Sequence, residues 1–113
     1  MKTFYKPKIL IDLDGVLNTY KGNFDEHIIP SIKPNAELFL KKLTNKFEVK
    51  IFTTRNIQIT EKWIVNNKLT KYISGITNTK ENAYLIIDDR CICFDGNYKE
   101  TLNKINNFKV YWK

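Results

Sequence analysis

Ile9-Leu10-Ile11-Asp12-Leu13-Asp14-Gly15-Val16-Leu17-Asn18 is the stretch that decides the fold. A short continuous run of branched apolar residues bounded by turn signals reads as a buried parallel strand. This run breaks off at two carboxylates and a glycine. In open α/β sheets ligands bind beyond the carboxyl ends of the strands, which makes Asp12 and Asp14 candidate site residues. Side chains alternate along a strand, so carboxylates at i and i+2 face the same way while the chain stays extended. Like charges that close repel until something neutralises them, and a hard divalent cation with oxygen ligands does so. Without a cation the same residues make a strand followed by a solvated Asp-x-Asp-Gly turn.

Outward from that strand the pattern repeats. Asn18 to Pro30 is polar, with Tyr20, Gly22, Phe24 and His27 interleaved, and reads as a loop or hairpin. Pro34 opens a helix whose Ala36, Phe39, Leu40, Leu43 and Phe47 form one apolar stripe. Val49 to Arg55 is a second strand. A second helix from about Gln58 to Lys68 buries Trp63, Ile64 and Leu69. Tyr72 to Thr77 reads as a third strand, Asn78 to Asn82 as a turn, and Tyr84 to Arg90 as a fourth strand resembling the first. Cys91 to Phe94 predicts a short strand, Asp95-Gly96-Asn97 a turn with a helix cap, and Tyr98 to Phe108 a last helix with Leu102, Ile105 and Phe108 inward. The tail, Lys109 to Lys113, reads as an edge strand or a packed aromatic end. Strands separated by helical patterns of about a dozen residues argue for βαβ units, hence an α/β three-layer, Rossmann-like parallel sheet flanked by helices.

With 113 residues the chain suits one domain, residues 1–113, with one core. Hydrophobic content of 42% is that of a globular protein, and no apolar run approaches the roughly 20 residues needed to span a bilayer. The basic start, Met1 to Pro7, leads into no signal-peptide apolar region, which makes the cytoplasm the expected location. Cys91 and Cys93 suit neither a disulfide with each other nor a paired zinc set and read as free thiols in or near the core. Net charge is +7, from 19 Lys and Arg against 12 Asp and Glu. That balance favours anionic partners, including phosphates and nucleic acid, although the lysines are spread along the chain with no stripe.

Three strands thus end in polar residues that one sheet edge would gather: Asp12 and Asp14, Thr53 to Arg55, and Asp88 and Asp89. A carboxylate can attack phosphorus to form an aspartyl phosphate, and Asp12 is the candidate nucleophile. Asp14 can protonate the leaving alkoxide and later take a proton from water. Magnesium held by Asp12, Asp14 through its backbone carbonyl, and Asp89 or Asp88 would offset the repulsion between carboxylate and phosphate. Thr53, with Thr54 beside it, offers polar groups to the phosphate, and Lys80 adds a second positive charge. Arg55 and Arg90, each just past a strand end, read as substrate contacts or as solvated surface arginines.

These residues resemble the motif set of the haloacid dehalogenase-like (HAD) superfamily. Ile-Asp12-Leu-Asp14-Gly-Val, Ile-Phe-Thr53, Lys80 and Leu-Ile-Ile-Asp88-Asp89 arrive in that family's order and span residues 9 to 89. The resemblance implies a magnesium-dependent phosphatase, with Asp12 as nucleophile, Asp14 as acid/base, Thr53 and Lys80 on the phosphate, and Asp88 or Asp89 on the metal, of which Asp89 is favoured as the direct ligand. Departures are visible. Neither gap between motifs holds a cap domain, Lys80 to Asp88 has no room for a helix, and Asp-Asp-Arg replaces the family's frequent Gly-Asp-x-x-x-Asp. A capless site implies a large substrate, such as a nucleic acid end, or a lid supplied by an oligomer, with nucleotides and sugar phosphates as the smaller alternatives. A non-catalytic phosphate- or metal-binding module of the same fold and a receiver-like signalling domain are the competing classes. Thr53 stands where the receiver would need its phosphoacceptor aspartate.

Overall fold

In a computed structural model, residues 5–113 are described. Residues 1–4, part of the stretch on which the expected location rests, lie outside them. The elements are β1 (Lys8–Ile11), α1 (Ala36–Leu43), β2 (Glu48–Phe52), α2 (Ile57–Asn66), a 3-10 turn at Thr70–Tyr72, β3 (Gly75–Thr77), β4 (Leu85–Ile87) and α3 (Tyr98–Asn106). The strands form one all-parallel sheet in the order β3-β2-β1-β4. This is the α/β, Rossmann-like class with flanking helices, and no cap domain is evident among the described residues. The long connection from β1 to α1 is a loop that carries an isolated bridge between Asn18 and Ile32.

The apolar run earns its place at the centre of the sheet. Ile9, Leu10 and Ile11 are all buried because β1 is paired on both sides and covered on both faces. Ile11 aligns with Ile51 on β2 and Ile87 on β4. The core on that face gathers Ile11, Val49 and Ile51 with Ala36 and Leu40 of α1 and Trp63 and Ile64 of α2. Both crossovers step the same way across the sheet, and right-handed crossovers put α1 and α2 on one face. The opposite face carries Leu10 beside Lys50, and Glu81 closes over it by pairing with Lys8 and Lys50 at 3.1 and 2.9 Å.

Local chemistry sets the helix ends. Asn56 caps α2 by accepting from the amide of Ile59, and Asn97 caps α3 by accepting from Glu100. The α1 stripe is narrower than the spacing predicts: Ala36 and Leu40 are buried, whereas Phe39 faces solvent. Helix α1 starts at Ala36, after Asn35 in the left-handed region, rather than at Pro34.

Five expectations about the second half need correction. Tyr72 belongs to the 3-10 turn and β3 begins only at Gly75; β4 ends at Ile87, where the chain turns into the site loop. Cys91 to Phe94 form an open loop with no strand, which leaves both cysteines exposed rather than near the core. Leu102 and Ile105 of α3 are exposed at 61% and 54% and Phe108 at 39%. No described strand follows α3 to draw it across the sheet, and a crossover is what packs α1 and α2.

Candidate active site

The strand order makes neighbours of three polar strand ends, because β1 lies between β2 and β4. Asp12 follows β1, Thr53 follows β2, and Asp88 and Asp89 follow β4. Asp12, Asp14, Thr53, Thr54, Asp88, Asp89 and Arg90 line one open recess of about 340 Å³, with Tyr20, Phe24 and Phe52 as its apolar wall. The carboxylates of Asp12, Asp88 and Asp89 each offer an oxygen within 4.8 Å of the others.

Asp12 is held from both sides of its own peptide. Its amide donates to the carbonyl of Ile87, and its Oδ1 accepts from the amide of Leu13 at 2.8 Å. Burial pushes its carboxyl up to about 8, and a hydrogen bond with Asp89 and the charges of Asp88 and Asp89 push the same way. Three carboxylates this close favour a hard cation, since an all-oxygen donor set suits magnesium or calcium rather than zinc or copper. The residues present therefore fit a divalent cation, which Asp12, Asp88 and Asp89 would hold.

Asp14 does not continue the strand. The chain turns directly after Asp12, with the amide of Leu17 donating to the carbonyl of Leu13. Both oxygens of Asp14 are occupied: Oδ1 accepts from Asn18 Nδ2 at 3.1 Å and Oδ2 from Arg55 Nε at 2.8 Å. Its carboxylate thus stands outside the three-aspartate cluster. Gly15 is needed in this turn, with φ of 80° and the Asp89 carboxylate lying where a Cβ would point.

Arg55 is not a solvated surface arginine. Its side chain is fully buried, Nη1 donates to the carbonyl of Asp25, and Nη2 is buried with no partner. The guanidinium also lies 4.5 Å from the ring centre of Phe24. Arg55 therefore ties the loop after β2 to the loop after β1. Arg90 is exposed and does line the recess. Thr53 is buried, its amide completes the sheet by donating to the carbonyl of Thr77, and its hydroxyl accepts from the amide of Arg55. Thr54, exposed, offers the freer position.

The structure does not bring Lys80 into the recess. It is exposed and lines a separate hollow with Glu81, Asn82, Ala83 and Ile86. Its neighbour Glu81 turns toward the sheet to meet Lys8 and Lys50, which directs the short connection between β3 and β4 away from Asp12. His27 is exposed and pairs with Glu26.

Two asparagines that the sequence reading passed over shape the site. Asn18 is fully buried and folds the first loop on itself, its Oδ1 accepting from the amides of Gly15 and Tyr20. Asn78 clamps the second loop through Nδ2, which donates to the carbonyls of Thr53 and Arg55. The position of Asn18, a polar residue closing an apolar run, was the available signal. Asn78 carried none beyond a turn.

The fold is similar to the solved structure of a conserved protein from Bacteroides thetaiotaomicron, with a TM-score of 0.60, 18% identity, and 95% of each chain covered. At that identity the likeness concerns the fold alone. No family model and no curated protein matches the chain.

Proposed function

We propose that this chain is a HAD-like, magnesium-dependent phosphomonoester hydrolase acting through an aspartyl phosphate on Asp12. The observation that carries the proposal is the meeting of Asp12, Asp88 and Asp89 from the ends of adjacent parallel strands, inside a recess that Thr54 and Arg90 also line. The motif order of the sequence supports it independently. Asp12, Asp88 and Asp89 would hold the magnesium ion, which would supply charge neutralisation for the phosphate and favour the ionised form of Asp12.

In the first step an Asp12 carboxylate oxygen attacks phosphorus, the ester P–O bond breaks, and the leaving alkoxide takes a proton from Asp14, which enters this step protonated and regains its charge pairing with Arg55 as the proton leaves. In the second, Asp14 takes a proton from water, the water oxygen attacks phosphorus, and the P–O bond to Asp12 breaks to return the carboxylate and release phosphate. Arg55 and Asn18 orient Asp14 for both transfers. Arg90 offers the phosphate the positive charge that Lys80, in its separate hollow, does not. The recess is open and uncapped, and the chain carries a net charge of +7, which suits a nucleotide, a nucleic acid end or a sugar phosphate.

A second class has one observation in its favour. Both oxygens of Asp14 are engaged and Lys80 is remote, which suits a phosphate- or metal-binding module without turnover. Phosphate release across nucleotides, sugar phosphates and 3′- and 5′-phosphorylated oligonucleotides separates the two. Magnesium-dependent release that Asp12→Asn abolishes while the fold is retained is the expected outcome. Binding of magnesium with no release on any substrate would transfer the chain to the binding class.

A further inference from the structure

After α3 the chain turns back toward its own beginning and seats its last residues on the site. Val110 is buried and anchors the return. The hydroxyl of Tyr111 donates to the carbonyl of Gly15, 96 positions earlier, and Lys33 lies 5.0 Å from the centre of the Tyr111 ring. Trp112 then reaches the acidic cluster itself. Its indole N–H donates to Asp89 Oδ2 at 2.6 Å.

The indole ring is held as well as the N–H. It meets Tyr20 edge-on, with ring centres 5.6 Å apart and planes at 76°. It lies against Gly22, where a Cβ would stand 3.4 Å from Trp112 Cζ3, and the guanidinium of Arg90 is 5.8 Å from its centre. Tyr20, Asp89 and Arg90 all line the recess. A side chain fixed on three sides and donating a charge-assisted hydrogen bond restrains the carboxylate that accepts it.

We propose that Trp112 is a positioning residue that fixes Asp89 for metal binding, so that the C-terminal tail is a working part of the site. This rests on the reading of Asp12, Asp88 and Asp89 as cation holders. Asp12 and Asp88, the acidic neighbours of Asp89, repel it, whereas the donor that holds its carboxylate comes from the far end of the chain. Groups that orient a metal-binding side chain are worth roughly 10- to 100-fold in metal affinity or activity when removed. Coupling is reciprocal, so a cation that binds better with the tail docked also holds the tail in place.

The chain has two tryptophans, and Trp63 is buried elsewhere with its N–H on the carbonyl of Pro30. Tryptophan emission therefore isolates Trp112 by difference with Trp112→Phe, which keeps an aromatic ring and loses the donor. Magnesium titration of the full chain, by calorimetry and by emission, is the experiment. The expected result is a magnesium-dependent change in wild-type emission that is absent in Trp112→Phe, and magnesium affinity 10- to 100-fold weaker in that variant at an unchanged circular dichroism spectrum. Wild-type affinity in a folded Trp112→Phe overturns the inference and leaves the metal site standing. If that variant does not fold, the wild-type titration decides: binding seen by calorimetry with no change in emission overturns it equally. No magnesium binding by the wild type overturns both the inference and the cation site beneath it.

Discussion

Replacing Arg55 by methionine removes the cation that joins the two site loops and is expected to cost about 3 kcal/mol of folding stability. The pair with Asp14 closes at 2.8 Å, where an effective dielectric near 20 gives an attraction of about 6 kcal/mol before desolvation. Burying the guanidinium takes back several kcal/mol. What the substitution exposes is an uncompensated Asp14, and removing one partner of a buried pair costs about 3–5 kcal/mol. Asp14 keeps 17% of its side chain in water, which places the loss at the lower end. In urea, with a slope of about 2 kcal/mol per molar, the midpoint falls by about 1.5 M. Asp14→Asn leaves the buried arginine without its counter-charge and is expected to cost a similar amount. The double variant is expected to lose little more than either single one, a coupling of about 2–3 kcal/mol. Losses that add to within about 0.5 kcal/mol, or a single loss below about 1 kcal/mol, would refute the claim that Arg55 and Asp14 act as a unit.

The Asp12 carboxyl, raised from 3.8 to about 8 chiefly by burial, makes stability without metal depend on pH. The folded state keeps a proton that the unfolded chain gives up near pH 4, so this contribution is complete below that value and is lost as pH rises through about 8. Thermal melts in a chelator should fall across that window, and the gain from added magnesium should grow with pH; a magnesium shift that is flat from pH 5 to 9 would contradict the crowding argument. Glu81 runs the other way, its carboxyl lowered from 4.5 to about 2 by hydrogen bonds from Lys50 and then Lys8. Its contribution is present above pH 4.5 and lost as pH falls toward 2, so Glu81→Gln should melt lower than wild type at pH 7 and converge with it near pH 2. A difference that persists at pH 2 would mean that packing, not charge, holds Glu81.

Much of the local pattern of the chain was legible before folding. Apolar runs that end in polar residues mark β1, β2 and β4, and β1 stands out because its residues 9–11 are all buried, whereas β2 alternates and β4 is partly exposed. The helical stripe of α2, the Asn97 cap and the carboxylates at the strand ends follow from spacing over a few residues. Strand ends in a parallel sheet share one edge, so Asp12, Thr53, Asp88 and Asp89 could be grouped without coordinates.

Which partner each side chain meets is a matter of loop geometry and of contacts between distant positions, and only the tertiary structure decides those. Asp14 faces Arg55 rather than Asp12 because the chain turns immediately after β1. Lys80 is led off by the ion pairs of Glu81, and the stripe of α3 stays in solvent because no described strand follows to fold it over the sheet. Trp112 reaches Asp89 from the other end of the chain. Local periodicity encodes which face of an element is apolar; it carries no record of where two elements meet, since that is settled by packing between residues tens of positions apart.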